Sequence, residues 1–371
     1  MSGDFESASL TVRLGAIAAN YKNLKRLAGP AITAGVVKAD GYGLGAAMTA
    51  PTLAGAGCET FFVAQLAEGI ALRPHLPKAR IFVLEGVTQA AAPALLAHDL
   101  TPVLNSLPDV AVWAQASRAQ GKGRRPLAAA IHVDTGLNRL GLRADELSIL
   151  AAEWRERLAG IHLALLMSHL ACADDLGADA PMNRQQLERF RAALAMLPPA
   201  PASLAATSGI YLGADYRFDL VRPGIGLWGG GPVRAENPVK SVAVLTARVL
   251  QTRRIDKGDS VGYAATFRAK RPTMLATVAL GYADGIMRAA SNKGAAAFAG
   301  MRAPFAGRVS MDLLTLDITD LKQQPAIGDS VEVLGDTMAL RDVAAAWGTN
   351  EYELLTGFSG RIPRRYTDAA A

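Results

Sequence analysis

The chain has 371 residues, of which 50% are hydrophobic, and its 39 Lys and Arg residues outnumber its 33 Asp and Glu residues, giving a net charge of +6. At this length a single hydrophobic core stops growing, so we expect two domains. No apolar run is long enough to span a bilayer and the N-terminal residues do not form a secretory signal, so we expect a cytoplasmic protein with no membrane partner. The basic residues are scattered without a recognised nucleic-acid module, which argues against nucleic acid as a partner and fits an anionic small ligand. Cys58 and Cys172 are too few for a disulfide framework and lack metal-ligand spacing, so we expect no metal site.

Short apolar segments alternate with longer amphipathic stretches over the first two-thirds of the chain, which is the pattern of an α/β domain. About eight strand–helix units in roughly 230 residues indicate a (β/α)8 TIM-type barrel rather than a doubly wound sheet. The predicted strands are 32–39, 60–65, 80–84, 101–105, 128–134, 163–168, 204–207 and 220–224. The predicted helices are 45–56, 66–72, 89–97, 107–120, 144–158 and 182–197, with a short one near 210–215.

The remaining third of the chain is rich in Val, Thr and Ala and predicts a mostly β domain. Its candidate strands are 239–252, 273–280 and 331–334, and a helical pattern returns only at 341–347. Three glycines and a proline at 229–232 favour a junction, because these residues interrupt both helices and strands. We therefore predict a barrel at 8–233 and a mostly β domain at 234–371, to which residues 1–7 are a candidate addition.

Lys38 ends the first predicted strand, where a charged lysine is costly to bury. It is therefore either solvated, the commoner outcome for a lysine taken alone, or chemically employed with a lowered pKa. In barrel enzymes the reactive residues lie at the carboxyl ends of the strands. Residues of catalytic type follow those ends at Lys38, Asp134, Arg139, His169, Thr207-Ser208-Gly209 and Arg222-Pro223-Gly224. A strand-end lysine that faces a phosphate site across a barrel mouth favours pyridoxal 5'-phosphate, whose aldehyde condenses with an amine.

Six segments spread over nearly the whole chain carry a family resemblance. They are VVKADGYGLG, HVDTGLNRLG, SHLACAD, VRPGIGLWG, GYADG and GRVSMD. Together, and in this order, they resemble the successive motifs of the alanine racemase family, whose members combine an N-terminal barrel with a C-terminal β domain. The resemblance implies a pyridoxal-phosphate-dependent isomerase that interconverts L- and D-alanine, provides D-alanine for bacterial peptidoglycan, and works as a homodimer with shared active sites.

The resemblance also implies a two-base mechanism, in which one base removes the α-proton and the other returns a proton on the opposite face of the substrate. Lys38 would bond to the cofactor and act as one base, and Tyr282, supplied by the β domain of a second subunit, would be the other. Because an ordinary phenol has a pKa of about 10 and is a poor base at neutral pH, the resemblance nominates Arg139 and His169 as neighbours that stabilise its anion.

Further site residues follow from the resemblance, motif by motif. The implied cofactor-binding residues are Lys38, Tyr42, Thr207, Arg222, Gly224 and Ile225, with Arg222 facing the pyridine nitrogen. The implied substrate-binding residues are Arg139, Met311 and Tyr263, with Met311 arriving from the other subunit. The implied supporting residues are Arg139, His169, Arg222 and Asp312.

Three positions depart from the family pattern. His132 stands where many members have a carbamylated lysine, which leaves Arg139 to be oriented by another anion such as chloride or by a different side chain. Ala206 replaces an asparagine before Thr207, and Gly360 replaces a tyrosine before Arg361, which removes one phosphate or entrance group. We therefore expect the range of accepted substrates to be less tightly constrained than the reaction type.

Each residue also has an ordinary structural explanation. His169 is also explained as a core histidine with satisfied hydrogen bonds, and the segment 134–136 as a turn. Arg222 is also explained as a member of an ion pair, and Tyr282 as a packed side chain. We interpret Trp228 and the arginines of 361–365 as structural.

Two alternatives for the whole chain are a pyridoxal-phosphate decarboxylase of related architecture and a non-catalytic cofactor-binding barrel. This sequence lacks the glycine-rich phosphate loop and the C-terminal cysteine motif expected of such a decarboxylase. A non-catalytic cofactor-binding barrel is usually a shorter, single-domain protein.

Overall fold

The computed structural model describes residues 6–121, 125–175, 180–232 and 239–368. Its helices are α1 (Leu14–Ala28), α2 (Lys38–Tyr42), α3 (Ala46–Gly55), α4 (Leu66–Leu72), α5 (Ala92–Ala97), α6 (Leu107–Ala119), α7 (Ala144–Arg157), α8 (Pro181–Met196), α9 (Thr207–Ile210), α10 (Leu340–Trp347) and α11 (Glu351–Thr356). The strands of the first half are β1 (Ala8–Arg13), β2 (Ile32–Thr33), β3 (Gly35–Val36), β4 (Thr60–Val63), β5 (Arg80–Val83), β6 (Thr101–Leu104), β7 (Leu127–His132), β8 (Ile161–Met167), β9 (Ala202–Ser203) and β10 (Leu220–Val221). Those of the second half are β11 (Ala243–Ile255), β12 (Ser260–Val261), β13 (Phe267–Arg268), β14 (Thr273–Val278), β15 (Ala295–Phe298), β16 (Met301–Pro304), β17 (Leu314–Asp317), β18 (Ser330–Leu334) and β19 (Arg364–Thr367).

The first domain is the predicted barrel. Strands β3 to β9 form one curled parallel sheet in chain order, and β10 pairs in parallel with β2, which directly precedes β3. On its other side the β10 segment continues to Arg222, which forms a parallel bridge with Ala206 after β9. These pairings join the first and last strands and account for all eight predicted strand positions.

The barrel strands form where short apolar runs are buried on both faces, as expected for parallel strands covered by helices. All four residues of β4 are buried, as are all four of β6. Phe62 of β4 and Phe82 of β5 are register partners whose rings stack with centroids 4.8 Å apart. The packing fills the barrel interior and leaves the carboxyl ends of the strands for a site.

Two predicted strand boundaries differ from the structure at the barrel mouth. The predicted strand 32–39 is divided into β2 and β3 and ends at Val36, so that Lys38 begins a turn instead of ending a strand. The predicted strand 204–207 is displaced, because β9 ends at Ser203 and Thr207 begins the short helix α9. In both places the chain leaves the sheet earlier than expected and brings main-chain groups over the barrel mouth.

The second domain is built on an eight-stranded sheet. The path β16-β15-β18-β11-β1-β19 runs through it, and β14 pairs with both β11 and β17. The long strand β11 alternates buried and half-buried residues, with Ala243, Leu245, Ala247 and Val249 facing the core. This alternation is typical of a strand with one face on a core and one face towards solvent.

Strand β1 belongs to this second sheet. Ala8–Arg13 pairs antiparallel with β11 and parallel with β19, whereas the predicted barrel begins at residue 8. The first strand of the described residues thus lies in the C-terminal sheet, and the chain then crosses to the barrel through α1. The predicted boundary between residues 233 and 234 lies outside the described residues.

No helix within the described ranges combines the length and the apolar character that crossing a bilayer requires.

Candidate active site

A cavity of about 400 Å³ opens at the carboxyl ends of the barrel strands. We call it the barrel cavity. It brings together residues that are far apart in the chain, as the barrel prediction requires. The residues proposed from the sequence that line it are Lys38, Tyr42, Arg139, His169, Thr207, Arg222, Gly224 and Ile225.

Lys38 is held at the start of an unusual left-handed turn. Ala39, Asp40 and Gly41 have φ values of 52°, 52° and 64° with ψ near 45°. Non-glycine residues pay roughly 1–2 kcal/mol each for this conformation, so the turn needs external support. Glu68 at the N-terminus of α4 supplies part of it, accepting a 2.6 Å hydrogen bond from the Ala39 N–H.

The surroundings of Lys38 favour its neutral form. Burial lowers the pKa of the Lys38 amine, and the nearby positive charge of Arg139 lowers it further, while Glu68 acts in the opposite direction. The amine is therefore more available as a nucleophile or base than an exposed lysine would be. Of the two interpretations of Lys38 from the sequence, the geometry favours chemical use over simple solvation.

Arg222 is a buried cation in the cavity wall. Its Nη2 donates to the Ser168 carbonyl at 2.6 Å and its Nη1 donates to the Ser203 hydroxyl. Burial lowers the pKa of this guanidinium to about 10, which leaves it charged at neutral pH. No carboxylate within the described residues forms an ion pair with it, so an ordinary structural ion pair does not explain Arg222.

His169 lies next to this guanidinium, with its Nδ1 3.5 Å from Arg222 Nη2. Because a guanidinium can only donate, Nδ1 is the accepting nitrogen and the ring proton resides on Nε2. Burial, followed by the positive charges of Arg222 and Arg139, lowers the pKa of His169 to about 3. His169 is therefore a neutral imidazole at any physiological pH.

His132, the substitute for the family's carbamylated lysine, has a partner that the sequence did not reveal. Its Nδ1 lies 2.8 Å from Oδ1 of Asn105, whose Nδ2 donates to the carbonyls of Leu84 and Val103, each at 3.0 Å. Two carbonyl acceptors fix the orientation of the amide, so its oxygen accepts the Nδ1 proton of His132. Burial and the charge of Arg222 lower the pKa of His132 to about 4, which leaves Nε2 as a neutral acceptor.

This arrangement predicts how stability responds to acid. His132 binds a proton near pH 6.5 in the unfolded chain but only near 4 in the folded one, so the unfolded chain holds more protons between these values. The free energy of unfolding therefore decreases as the pH falls through this window, by roughly 1 kcal/mol per pH unit from this residue. We expect His132→Gln to lose less stability than wild type between pH 6.5 and 5 in urea titrations. Equal slopes in the two proteins would contradict the assignment.

Three residues that were predicted to bind the cofactor phosphate, Thr207, Gly224 and Tyr42, lie close together. Thr207 Oγ1 accepts hydrogen bonds from the N–H groups of Gly224 at 2.9 Å and Gly226 at 3.2 Å. The hydroxyl proton then remains as a donor. The Tyr42 hydroxyl lies so close to Gly224 that a β-carbon there would overlap it. This corner therefore needs a glycine and concentrates hydroxyl donors on one side of the cavity.

Tyr352 is a functional candidate that sequence reasoning missed. It comes from α11 of the second domain, lines the barrel cavity, and places its ring centroid 6.2 Å from that of Tyr42. Tyr352 thus brings a phenol into this cavity from a position eight residues before Gly360. Asp174 also lines the cavity and hydrogen-bonds to the Ser208 hydroxyl.

Asp134 shapes the loop that carries Arg139. One carboxylate oxygen accepts the N–H groups of Gly136, Leu137 and Asn138 at 2.8, 3.0 and 3.1 Å. This is the Asx-type turn that the sequence left open as an alternative. Asp134 therefore acts on the site through the loop.

The remaining predicted residues lie elsewhere in the chain. Tyr263, Tyr282, Met311 and Asp312 line a second concavity on the C-terminal domain, together with Arg288 and Arg308. Three of these residues have large, partly apolar side chains that are exposed to solvent. Their accessible fractions are 71% for Tyr263, 53% for Met311 and 43% for Tyr282. A single chain thus separates the two proposed bases into two different cavities.

The donor set of the barrel cavity fits pyridoxal phosphate. It contains an amine whose pKa is lowered, hydroxyl donors at Tyr42 and Thr207, and the buried guanidinium of Arg222, for which the described residues offer no carboxylate. An aldehyde, a phosphate and an accepting ring nitrogen are the groups that such donors complement. The volume is also within the range of small-ligand sites, about 300–1,000 Å³.

Two family models match the chain. Residues 12–232 match the model for the alanine racemase N-terminal domain, and residues 242–366 match that for the alanine racemase C-terminal domain. Two curated relatives come from Agrobacterium fabrum. Its catabolic alanine racemase is 47% identical over 363 residues, 97% of this chain and 92% of that protein. Its biosynthetic alanine racemase is 44% identical over 377 residues, 98% of this chain and 95% of that protein.

A solved structure agrees over the full length. The crystal structure of alanine racemase from Bartonella henselae, with covalently bound pyridoxal phosphate, superposes with a TM-score of 0.92 at 39% identity. The match covers 98% of this chain and all of that chain. Fold, chain length and sequence therefore point to the same set of relatives.

Proposed function

The chain belongs to the alanine racemase family, and on that premise we propose that it interconverts L- and D-alanine with pyridoxal 5'-phosphate bound in the barrel cavity. The observation that carries the proposal is the meeting of Lys38, Arg139 and Arg222, from three separate strand ends, in that one cavity. Relatives named biosynthetic and catabolic are similarly close. We propose a cytoplasmic enzyme that provides D-alanine for peptidoglycan.

The residues that would hold the cofactor are those whose donors face the barrel cavity. Thr207, Tyr42 and the main chain at Gly224 and Ile225 would bind the phosphate, and Arg222 would face the ring nitrogen. When bound, pyridoxal phosphate links to the amino group of the substrate and withdraws electrons from the α-carbon, which makes the α-proton acidic. Arg222 keeps its own proton at neutral pH, so it stabilises an accepting ring nitrogen without protonating it.

Lys38 would hold the cofactor and then act as the base on one face of the substrate. The lowered pKa of its amine makes the neutral, proton-accepting form more available than in an exposed lysine. Arg139, on the loop held by Asp134, would bind the substrate carboxylate. With His132 and His169 both neutral, Arg139 and Arg222 still place positive charge on the described lining of the cavity, which favours an anionic ligand.

Tyr282, supplied by a second subunit, would be the base on the other face and would remove the α-proton of L-alanine, while Lys38 would remove that of D-alanine. Supporting this, the Tyr282 phenol lies in a separate concavity and is exposed there together with Tyr263 and Met311. Exposed apolar side chains grouped in this way are typical of an interface. In the dimer, Met311 N–H would meet the substrate carboxylate, Asp312 would support this segment, and Tyr263 would line the entrance.

The test of the reaction class is incubation of the holoenzyme with L-alanine in D₂O. We expect deuterium at the α-carbon together with D-alanine, both followed by NMR and a chiral separation. Release of CO₂ would contradict the proposal in favour of a decarboxylase. Absence of any exchange in holoenzyme that retains its cofactor would contradict it in favour of a non-catalytic binding protein.

A further inference from the structure

The glycine-rich segment 229–232, which the sequence favoured as a junction between domains, packs behind the proposed phosphate site. We call it the glycine segment. A β-carbon on Gly231 would lie 3.2 Å from Cγ2 of Thr207 and 3.3 Å from Cγ2 of Ile225. The Gly230 N–H donates to the Ile225 carbonyl at 3.0 Å. The main chain of the glycine segment therefore supports two residues that are proposed to bind the phosphate.

Two side chains of the second domain hold Gly231 by its main chain. Oε2 of Glu351, in α11, accepts the Gly231 N–H at 2.7 Å. Nη2 of Arg341, in α10, donates to the Gly231 carbonyl at 3.0 Å. The two side chains also face each other, with Arg341 Nε 3.8 Å from Glu351 Oε1. Because one side chain accepts and the other donates, the pair satisfies both polar groups of this residue.

Glu351 is the more buried member of this pair. Its side chain is 13% accessible, whereas that of Arg341 is 55% accessible. A carboxylate removed from water needs compensating hydrogen bonds, and the Gly231 N–H supplies one of them. Exposed ion pairs contribute little, so the hydrogen bond of Glu351 is the stronger link between the second domain and the glycine segment.

The residue that follows Glu351 carries the second domain into the barrel cavity. Tyr352 lines this cavity, and its ring centroid lies 6.2 Å from that of Tyr42. The hydrogen bond from Gly231 to Glu351 attaches the start of α11 to the barrel next to this phenol. Glu351 thus connects two sides of the proposed phosphate site, the layer behind Thr207 and the phenols at Tyr42 and Tyr352.

We propose that Glu351 is a positioning residue for the cofactor phosphate, acting through Gly231 on Thr207 and Ile225. This inference rests on the proposed function, which places the phosphate beside these two residues. Glu351 does not line the barrel cavity itself, so it acts by fixing the main chain behind the phosphate. The second domain then contributes to cofactor retention through a carboxylate that never touches the cofactor.

The test compares the loss of pyridoxal phosphate from the holoenzymes of wild type, Glu351→Ala and Glu353→Ala. Glu353 is the matched control, because it is also an acidic residue in the first turn of α11 but is exposed and hydrogen-bonds to Thr349. We expect the cofactor to dissociate about tenfold faster from Glu351→Ala, the factor that one hydrogen bond to a charged group represents. The control should release it at the wild-type rate. The decay of the visible absorbance after dilution measures each rate.

Pyridoxal separates an effect on the phosphate from a general loss of structure. This compound has the ring and the aldehyde of the cofactor but lacks the phosphate. We expect wild type, Glu351→Ala and Glu353→Ala to release pyridoxal at equal rates when each full chain is loaded with it. Unchanged release of pyridoxal phosphate from folded Glu351→Ala would overturn the assignment. An equal acceleration with both compounds would overturn it as well, because it would indicate a role in the fold alone.

Glu351→Gln is the second variant if the alanine variant does not fold, with the melting temperature of the holoenzyme as the check. Its amide oxygen still accepts the Gly231 N–H, but without the charge that strengthens this hydrogen bond. We expect pyridoxal phosphate to be released about threefold faster, again with no change for pyridoxal. Wild-type rates with both compounds would overturn the assignment. Failure of the wild-type protein to bind pyridoxal phosphate or to racemise alanine would instead overturn the proposed function.

Discussion

Replacement of Lys38 by alanine is expected to abolish racemisation, with a loss of more than about 10⁴-fold. Two contributions disappear together, the covalent attachment of the cofactor and the base on one face of the substrate. The visible absorbance of the bound cofactor should be lost in the same variant. Exchange of the α-proton should be lost from both enantiomers, because the attachment is needed on either side.

The control for this prediction is Lys22→Ala, which removes an exposed lysine from α1. It should keep absorbance and activity at wild-type levels. Lys38→Ala should also keep its fold, since Lys38 is a partly buried amine whose charged form is disfavoured by burial. A folded Lys38→Ala protein that retains the absorbance of covalently bound cofactor would show that another lysine carries it.

The barrel was predictable because its determinants are local. Each strand is a short buried run between helices, so composition and spacing identify it without knowledge of its partners. Thr60–Val63, for example, is apolar throughout apart from its first residue and is flanked by helical patterns. The polar residues that follow these runs then identify the mouth of the barrel, because parallel strands present their carboxyl ends at the same edge.

Strand β1 was not predictable in this way. Ala8–Arg13 is six residues long and its partners, in β11 and β19, lie more than 200 residues away in the chain. Nothing in the sequence ASLTVR states which sheet it joins. The assignment of residue 8 to the barrel followed chain order, whereas the pairing follows long-range burial of Leu10 and Val12.

The left-handed turn after Lys38 was equally hidden. Its glycines permit positive φ, but Ala39 and Asp40 adopt it too, and nothing in their side chains requires this. The turn is maintained by Glu68 and Arg364, which lie 29 residues and 321 residues away from the groups they bind. Asn105 was missed for a similar reason, since its effect on His132 exists only once β6 and β7 are paired.

Replacement of Tyr282 by phenylalanine is expected to lower racemisation about 10²- to 10⁴-fold, the range for loss of a general acid–base group. The cofactor absorbance should remain, because Tyr282 lies outside the barrel cavity that would hold the cofactor. Deuterium exchange from D-alanine should also remain, because Lys38 still faces that side of the substrate. Exchange from L-alanine should be lost. Tyr366→Phe, which removes a phenol that lines neither the barrel cavity nor the concavity of Tyr282, is the matched control and should retain both exchanges.

Mixed dimers test whether Tyr282 is supplied by the second subunit. Lys38→Ala and Tyr282→Phe chains are each inactive, but a hybrid of the two holds one site with both bases if sites are shared. Random reassociation of equal amounts then restores about a quarter of wild-type activity, since half of the dimers are hybrid and each has one intact site. If Lys38 and Tyr282 of one chain served the same site, no hybrid would contain a complete pair and the mixture would stay inactive.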